Sequence, residues 1–109
     1  MQISDIYDAK EVLKDVISKT PIVHATKIHE NLWIKAENLQ GTGAFKLRGA
    51  YNKLSNLTPE EREKGVIAAS AGNHAQGVAY SCMKMGIKGT IVMPKTAPLS
   101  KIEATRSYG

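Results

Sequence analysis

Cysteine is almost missing from this chain: Cys82 stands alone among 109 residues. A single thiol cannot close an internal disulfide, so a reducing, cytoplasmic setting is expected. Long apolar runs are missing too. None approaches the ~20 residues that span a bilayer, and Met1-Gln2-Ile3-Ser4-Asp5 lacks a signal-peptide pattern, so neither a membrane partner nor a secretory leader is expected. Aromatics are few, with one Phe, one Trp and four Tyr, and they do not interleave with basic residues as a base-stacking platform requires. Clustered arginines are absent, and lysines such as Lys10, Lys27, Lys64 and Lys88 sit singly. The net charge of +5 and pI of about 9.4 therefore suit small anions, and nucleic acid is not expected. His24, His29 and His74 are scattered without ligand spacing, so no metal is expected either.

What is present is ordinary globular composition, 42% hydrophobic and 23% charged, at a length that suits one small domain. Apolar residues at helical spacing predict a first helix over residues 5–18, capped by Ser4 or Asp5 and stopped by Thr20-Pro21. Ile22-Val23-His24-Ala25 reads as extended. Leu32 to Glu37 alternates as a strand, and Leu47, Ala50, Tyr51 and Leu54 mark one face of a helix over 44–57. Thr58-Pro59-Glu60-Glu61 starts a brief helix that Gly65 ends. Val66 to Ser70 is a nearly continuous apolar run, the pattern of a strand buried on both faces. A helix follows to about Met85 with Gly86 as its cap, then a second apolar strand from Gly89 to Pro94, then a helix over 98–107 with Leu99 and Ile102 inward. This alternation predicts an α/β fold: a three-stranded parallel sheet with helices on both faces.

Two stretches carry chemistry. Gly41-Thr42-Gly43-Ala44-Phe45-Lys46 sets a lysine just past a glycine-rich turn, in the first turn of a helix. Free N–H groups and the positive end of the helix dipole converge there and disfavour a positive charge, and burial would act the same way. A partly neutral lysine is a nucleophile toward carbonyls. The alternative is a solvated lysine at a helix start. The stretch is neither a dinucleotide fingerprint, which needs a third glycine where Lys46 stands, nor a phosphate loop, which needs Gly-Lys-Ser or Gly-Lys-Thr. Ser70-Ala71-Gly72-Asn73-His74 joins a buried strand to a helix N-terminus, where backbone N–H groups can hold an anion. The alternative there is that Ser70 or Asn73 only caps the helix. If both loops follow strands of one sheet they open on the same edge, and a lysine facing an anion cradle suits a carbonyl cofactor joined to a carboxylate substrate.

Lys35 to Ala50, with its Glu37-Asn38-Leu39-Gln40-Gly41-Thr42-Gly43-Ala44-Phe45-Lys46 centre, resembles the cofactor-lysine motif of the fold-type II pyridoxal-phosphate enzymes, and within them the threonine/serine dehydratases. Ala69 to Ala79 resembles their substrate-carboxylate loop, and the likeness runs from about Ile17 to the end. The resemblance implies that Lys46 holds pyridoxal 5'-phosphate covalently and then acts as base on the substrate α-carbon. It implies that Phe45 packs against the cofactor ring and that Asn73 hydrogen-bonds its phenolic oxygen. Ser70, Ala71, Gly72, Asn73 and His74 would grip the carboxylate of a small hydroxy-amino acid. The implied activity is dehydration and deamination of threonine, with serine as an alternative substrate, to a 2-oxo acid and ammonia. Thr42 and Gln76 match positions near a nucleotide monophosphate activator, and the family implies a homo-oligomer. Arg48 and Gly49 read as packing and helix integrity. Nothing in Ser55, Ser81 or Ser100 favours a serine racemase.

The family's phosphate loop and the group facing the pyridine nitrogen have no counterpart here. Residues 1–34 are therefore expected to belong to the larger domain of a parent enzyme and 35–109 to be most of the small domain, inactive alone. A folded, non-catalytic interaction domain is the competing reading.

Overall fold

A computed structural model describes residues 2–109. The first helix, α1 (Ile3–Leu13), begins where the Gln2 N–H donates to Asp5 Oδ2 at 2.6 Å, one half of a capping box. It stops five residues short of the expected Ser18, and Leu13 is its one buried residue. The chain then forms an antiparallel hairpin of β1 (Ile22–His24) and β2 (Trp33–Lys35), with Val23 opposite Ile34. Both strands are exposed, and the Trp33 indole stacks on the His24 ring with centroids 4.1 Å apart.

This hairpin corrects the expected sheet. Residues 32–37 do not join a three-stranded parallel sheet: among the described residues β2 pairs only with β1, and Glu37–Leu39 leaves the strand for a single 3-10 turn. The parallel sheet has two strands among the described residues, β3 (Val66–Ala69) and β4 (Gly89–Val92). The physical reason is that alternation identifies a strand without naming its partner, and the short link from His24 to Trp33 lets β2 fold back antiparallel on β1.

Between the two sheets lie α2 (Lys46–Ser55) and α3 (Pro59–Lys64). Pro59 opens α3 and a Thr58–Glu61 capping box fixes its start, as the sequence predicts. The helix joining the parallel strands is α4 (Asn73–Met85), ended by Gly86 at φ +65. The last helix is α5 (Leu99–Arg106). The core forms where α2 and α4 pack together: Ala50 and Leu54 meet Val78, Cys82 and Ile87. Each buried aliphatic side chain contributes about 1.5–3 kcal/mol by leaving water. Burial pushes the Cys82 thiol pKa up, which makes it a packing residue rather than a nucleophile.

The α/β class holds, but the cover is one-sided. Val66, Ala68 and Ile91 turn toward the helices, whereas Ile67 is 77% exposed and Ala69, Thr90 and Val92 also lie open. The apolar run from Val66 signalled burial on two faces, and the described elements supply one. Similarly, Leu99 of α5, expected inward, is exposed, and Thr105 is the buried residue of that helix. The radius of gyration is 15.7 Å, above the roughly 13 Å of a compact domain this long, in keeping with a projecting hairpin.

Candidate active site

Lys46 is the first residue of α2, and the turn that delivers it needs Gly43, whose φ of +69 a side chain resists. Phe45 stands at the N-cap without a side-chain capping bond, and the Lys46 amine lies over its ring, 5.2 Å from the centroid. Among the described residues Lys46 makes no ion pair or side-chain hydrogen bond, and it is exposed. Lys46 thus stands at a helix start as expected, but the burial also expected of it is absent.

The second stretch folds as a bend into α4. Ser70 N donates to the Val92 carbonyl at 3.0 Å, tying the bend to the end of β4, and Gly72 N donates to Ser70 Oγ at 3.3 Å. Gly72 is the N-cap of α4, and no side chain caps it. That removes the capping alternative for Ser70 and for Asn73. The N–H groups of Asn73, His74 and Ala75 fall in the first turn, where a helix has no acceptor of its own, and are oriented to receive an anion.

Gly77 brings the two stretches together. A Cβ there would lie 3.2 Å from the carbonyl carbon and oxygen of Lys46 and 3.3 Å from Ala50 Cβ, so the bare glycine lets α4 close directly onto the start of α2. Phe45, Lys46 and His74 consequently line one cavity of about 540 Å³ with Val66, Ala68 and Val78 on its apolar side. A larger cavity of about 700 Å³ lies between α4, β4 and α5, away from Lys46. Ser70, Ala71 and Gly72 are half-buried and Asn73 is exposed, and none of the four lines the first cavity, where His74 alone represents that stretch. The two loops do meet, but through α2 against α4 rather than along one sheet edge.

Thr42 and Gln76, expected near a nucleotide, are both buried. Thr42 Oγ1 has no hydrogen-bond partner. An unpaired buried hydroxyl costs about 1–3 kcal/mol, so Thr42→Val, of the same shape, is expected to raise the urea midpoint of the protein by an amount worth about 1 kcal/mol. A lowered midpoint would mean that the hydroxyl has a use.

Glu37 is the residue the sequence reading passed over. Its carboxylate takes both arms of Arg48, from Nε to Oε2 and from Nη2 to Oε1, each at 2.8 Å. Oε1 also accepts from Thr20 Oγ1 at 2.6 Å and from Gln40 Nε2 at 3.4 Å. Lys35 Nζ, 3.6 Å from Oε1, donates to the Thr20 carbonyl at 2.8 Å. Gln40 is itself buried, pairing with both the N–H and the carbonyl of Ser18. Arg48, read as packing alone, is thus half of a two-armed ion pair. The available signal was a glutamate and an arginine flanking the lysine turn, but their partners lie 11 and 17 residues from Glu37.

The hydrogen bonds from Arg48, Thr20 and Gln40 lower the Glu37 pKa from 4.5 to about 2. The folded protein therefore binds this proton less readily than the unfolded chain. The stabilisation is complete above about pH 4.5 and is lost as pH falls toward 2. With the side chain only 16% exposed, it is on the order of 3 kcal/mol. Unfolding free energy measured against pH should fall across that window, and Glu37→Gln should flatten the slope; an equal slope in the variant would assign the loss to other carboxylates.

A family model described as pyridoxal-phosphate dependent enzyme matches residues 13–109. The chain belongs to that pyridoxal-phosphate dependent family. Among relatives, the L-threonine ammonia-lyase of Thermotoga maritima is 51% identical over 98% of this chain and 28% of its own length. Among solved structures, threonine deaminase isoform 2 of Solanum lycopersicum is 45% identical with a TM-score of 0.87, covering 98% of this chain and 31% of that one. Maize serine racemase is 38% identical with a TM-score of 0.93, covering 99% and 34%. The chain thus spans about a third or less of the length of these pyridoxal-phosphate family relatives.

The residues present fit the family's cofactor. Lys46 offers an unpaired primary amine to an aldehyde, Phe45 a flat apolar face to a ring, and the uncapped first turn of α4 a set of N–H donors to a charged oxygen.

Proposed function

We propose that this chain supplies the lysine part of an enzyme that dehydrates and deaminates L-threonine, and L-serine as a second substrate. The observation that carries the reading is the close approach of Gly77 to the Lys46 backbone, which packs the start of α2 against α4 so that Lys46 and His74 line one cavity. The names of the Thermotoga maritima and Solanum lycopersicum relatives favour threonine.

In this reading the Lys46 amine would hold the cofactor and would take the proton from the substrate α-carbon. Bound pyridoxal phosphate supplies the electron sink for the charge left on that carbon. Phe45 would pack against the cofactor ring, and the Asn73 amide would donate to the cofactor's phenolic oxygen. The N–H groups from Ser70 to His74 bind the substrate carboxylate and fix which α-substituent faces Lys46. The β-hydroxyl leaves as water with a proton, and hydrolysis of the resulting enamine adds water back to give a 2-oxo acid and ammonia. Residues 35–109 form part of a small domain, and residues 1–34, with α1 and most of the exposed hairpin, belong to a larger one.

Borohydride reduction of the full-length protein with pyridoxal phosphate, followed by peptide mapping, tests the reading. Selective labelling of Lys46 and release of 2-oxobutanoate from L-threonine are expected. Even labelling of surface lysines would sink it in favour of a non-catalytic domain, and D-serine formed from L-serine without 2-oxo acid would assign racemisation instead.

A further inference from the structure

The stretch between Glu37 and Arg48 contains the whole turn that delivers Lys46; Gln40, Thr42, Ala44 and Leu47 bury it, but few hydrogen bonds within it fix its direction. Phe45, at the N-cap of α2, makes no capping bond. A Cβ at Gly41 or Gly43 would meet nothing within 4 Å. Inside the turn, Gly43 N donates to the Gln40 carbonyl at 2.7 Å and Arg48 N to the Phe45 carbonyl at 3.1 Å. The two ends are held firmly. Arg48 grips Glu37 with two parallel bonds, a geometry that fixes direction as well as distance. Glu37 and Gln40 are anchored in turn to Thr20 and Ser18, on the segment before β1.

We infer that Glu37 is a positioning residue for Lys46: by clamping Arg48, two residues further along α2, it fixes the rotation and height of the helix start and so the point from which the amine departs. The inference rests on Lys46 being the cofactor lysine. Glu37 bonds to Thr20, Gln40 and Arg48 and not to Lys46, so it acts on the amine's place rather than on its charge. Gly77 holds the Lys46 backbone from the α4 side, and the Glu37–Arg48 pair holds it from the hairpin side. With one of these two holds removed, α2 keeps its buried contacts through Leu47, Ala50 and Leu54 but loses a restraint on the rotation of its first residue. A small displacement of a reacting group is costly: about 1 Å lowers a rate by as much as a hundredfold.

The test uses the full-length enzyme with Glu37→Gln, which keeps the side chain's size but loses the carboxylate, and Arg48→Lys, which keeps the charge but loses the two-armed grip. Each variant is followed by kcat and KM for L-threonine, by the rate of borohydride-trapped labelling at Lys46, and by thermal midpoint. Glu37→Gln should lower kcat about ten- to a hundredfold, leave KM within about twofold, and slow labelling while Lys46 remains the labelled residue. Arg48→Lys should do the same to a smaller degree, and carries the test if Glu37→Gln does not fold. A lowered midpoint with unchanged kcat and labelling rate in the folded variants would overturn the inference and leave the pair as structural glue. Wild-type labelling away from Lys46 is a separate result, and would overturn the proposed function itself.

Discussion

Lys46→Ala is expected to reduce 2-oxobutanoate release from L-threonine by three orders of magnitude or more while leaving the thermal midpoint of the apo protein nearly unchanged. A positioned general base alone contributes about 10²–10⁴ in rate, and here the same amine also tethers the cofactor. The second half of the expectation comes from the structure. Lys46 is exposed, its amine makes no salt bridge or hydrogen bond among the described residues, and it lies over the Phe45 ring. Alanine is the best helix former, so the first residue of α2 loses nothing it needs. Lys46→Arg should fail as completely, because a guanidinium stays protonated and cannot add to an aldehyde. Steady-state assays beside a melting curve decide the matter. Activity within about tenfold of the parent would remove Lys46 from the chemistry.

The largest effect on folding is expected from Gly65→Ala, a loss of about 3 kcal/mol or more. Gly65 closes α3 and opens β3 with φ at +83, a region that strains any residue bearing a Cβ. The added carbon would also lie 2.7 Å from the Lys88 carbonyl oxygen, inside van der Waals contact. That oxygen accepts the Val66 N–H at 2.8 Å, at the end of the ladder where Val66 pairs with Gly89. Relieving the clash therefore means breaking the first bond of the parallel pair, so backbone strain and overpacking add. Urea unfolding of the variant measures the sum. A change below about 1 kcal/mol would mean that β3 and β4 separate at that end without consequence.

Much of the local structure was legible because it is written in adjacent residues. The spacing of Leu47, Ala50 and Leu54 located the buried face of α2, the Thr58–Glu61 pair located the start of α3, and Gly86 the end of α4. The two loops were legible as a pair, and the structure joins them. What joins them was not: Gly77 was read only as part of a loop motif, since a close approach between helices shows itself only when both are in place. The destination of the strand at 33–35 was hidden for a related reason, because a three-residue strand exposed on both faces carries no mark of its partner. Glu37 was hidden most thoroughly. Read as the last residue of a strand, it would have pointed to solvent or sheet, whereas the 3-10 turn that follows β2 swings it beneath α2 and into reach of Thr20 and Arg48.

Trp33 is the sole tryptophan in these 109 residues, and it lies flat against His24 in the hairpin rather than among the helices. Its emission is consequently a private gauge of when β1 parts from β2. A fluorescence trace of denaturation in this chain will time that parting and stay blind to the α2–α4 interior, so a far-ultraviolet dichroism trace recorded alongside it would resolve two clocks wherever the hairpin and the interior let go at different moments.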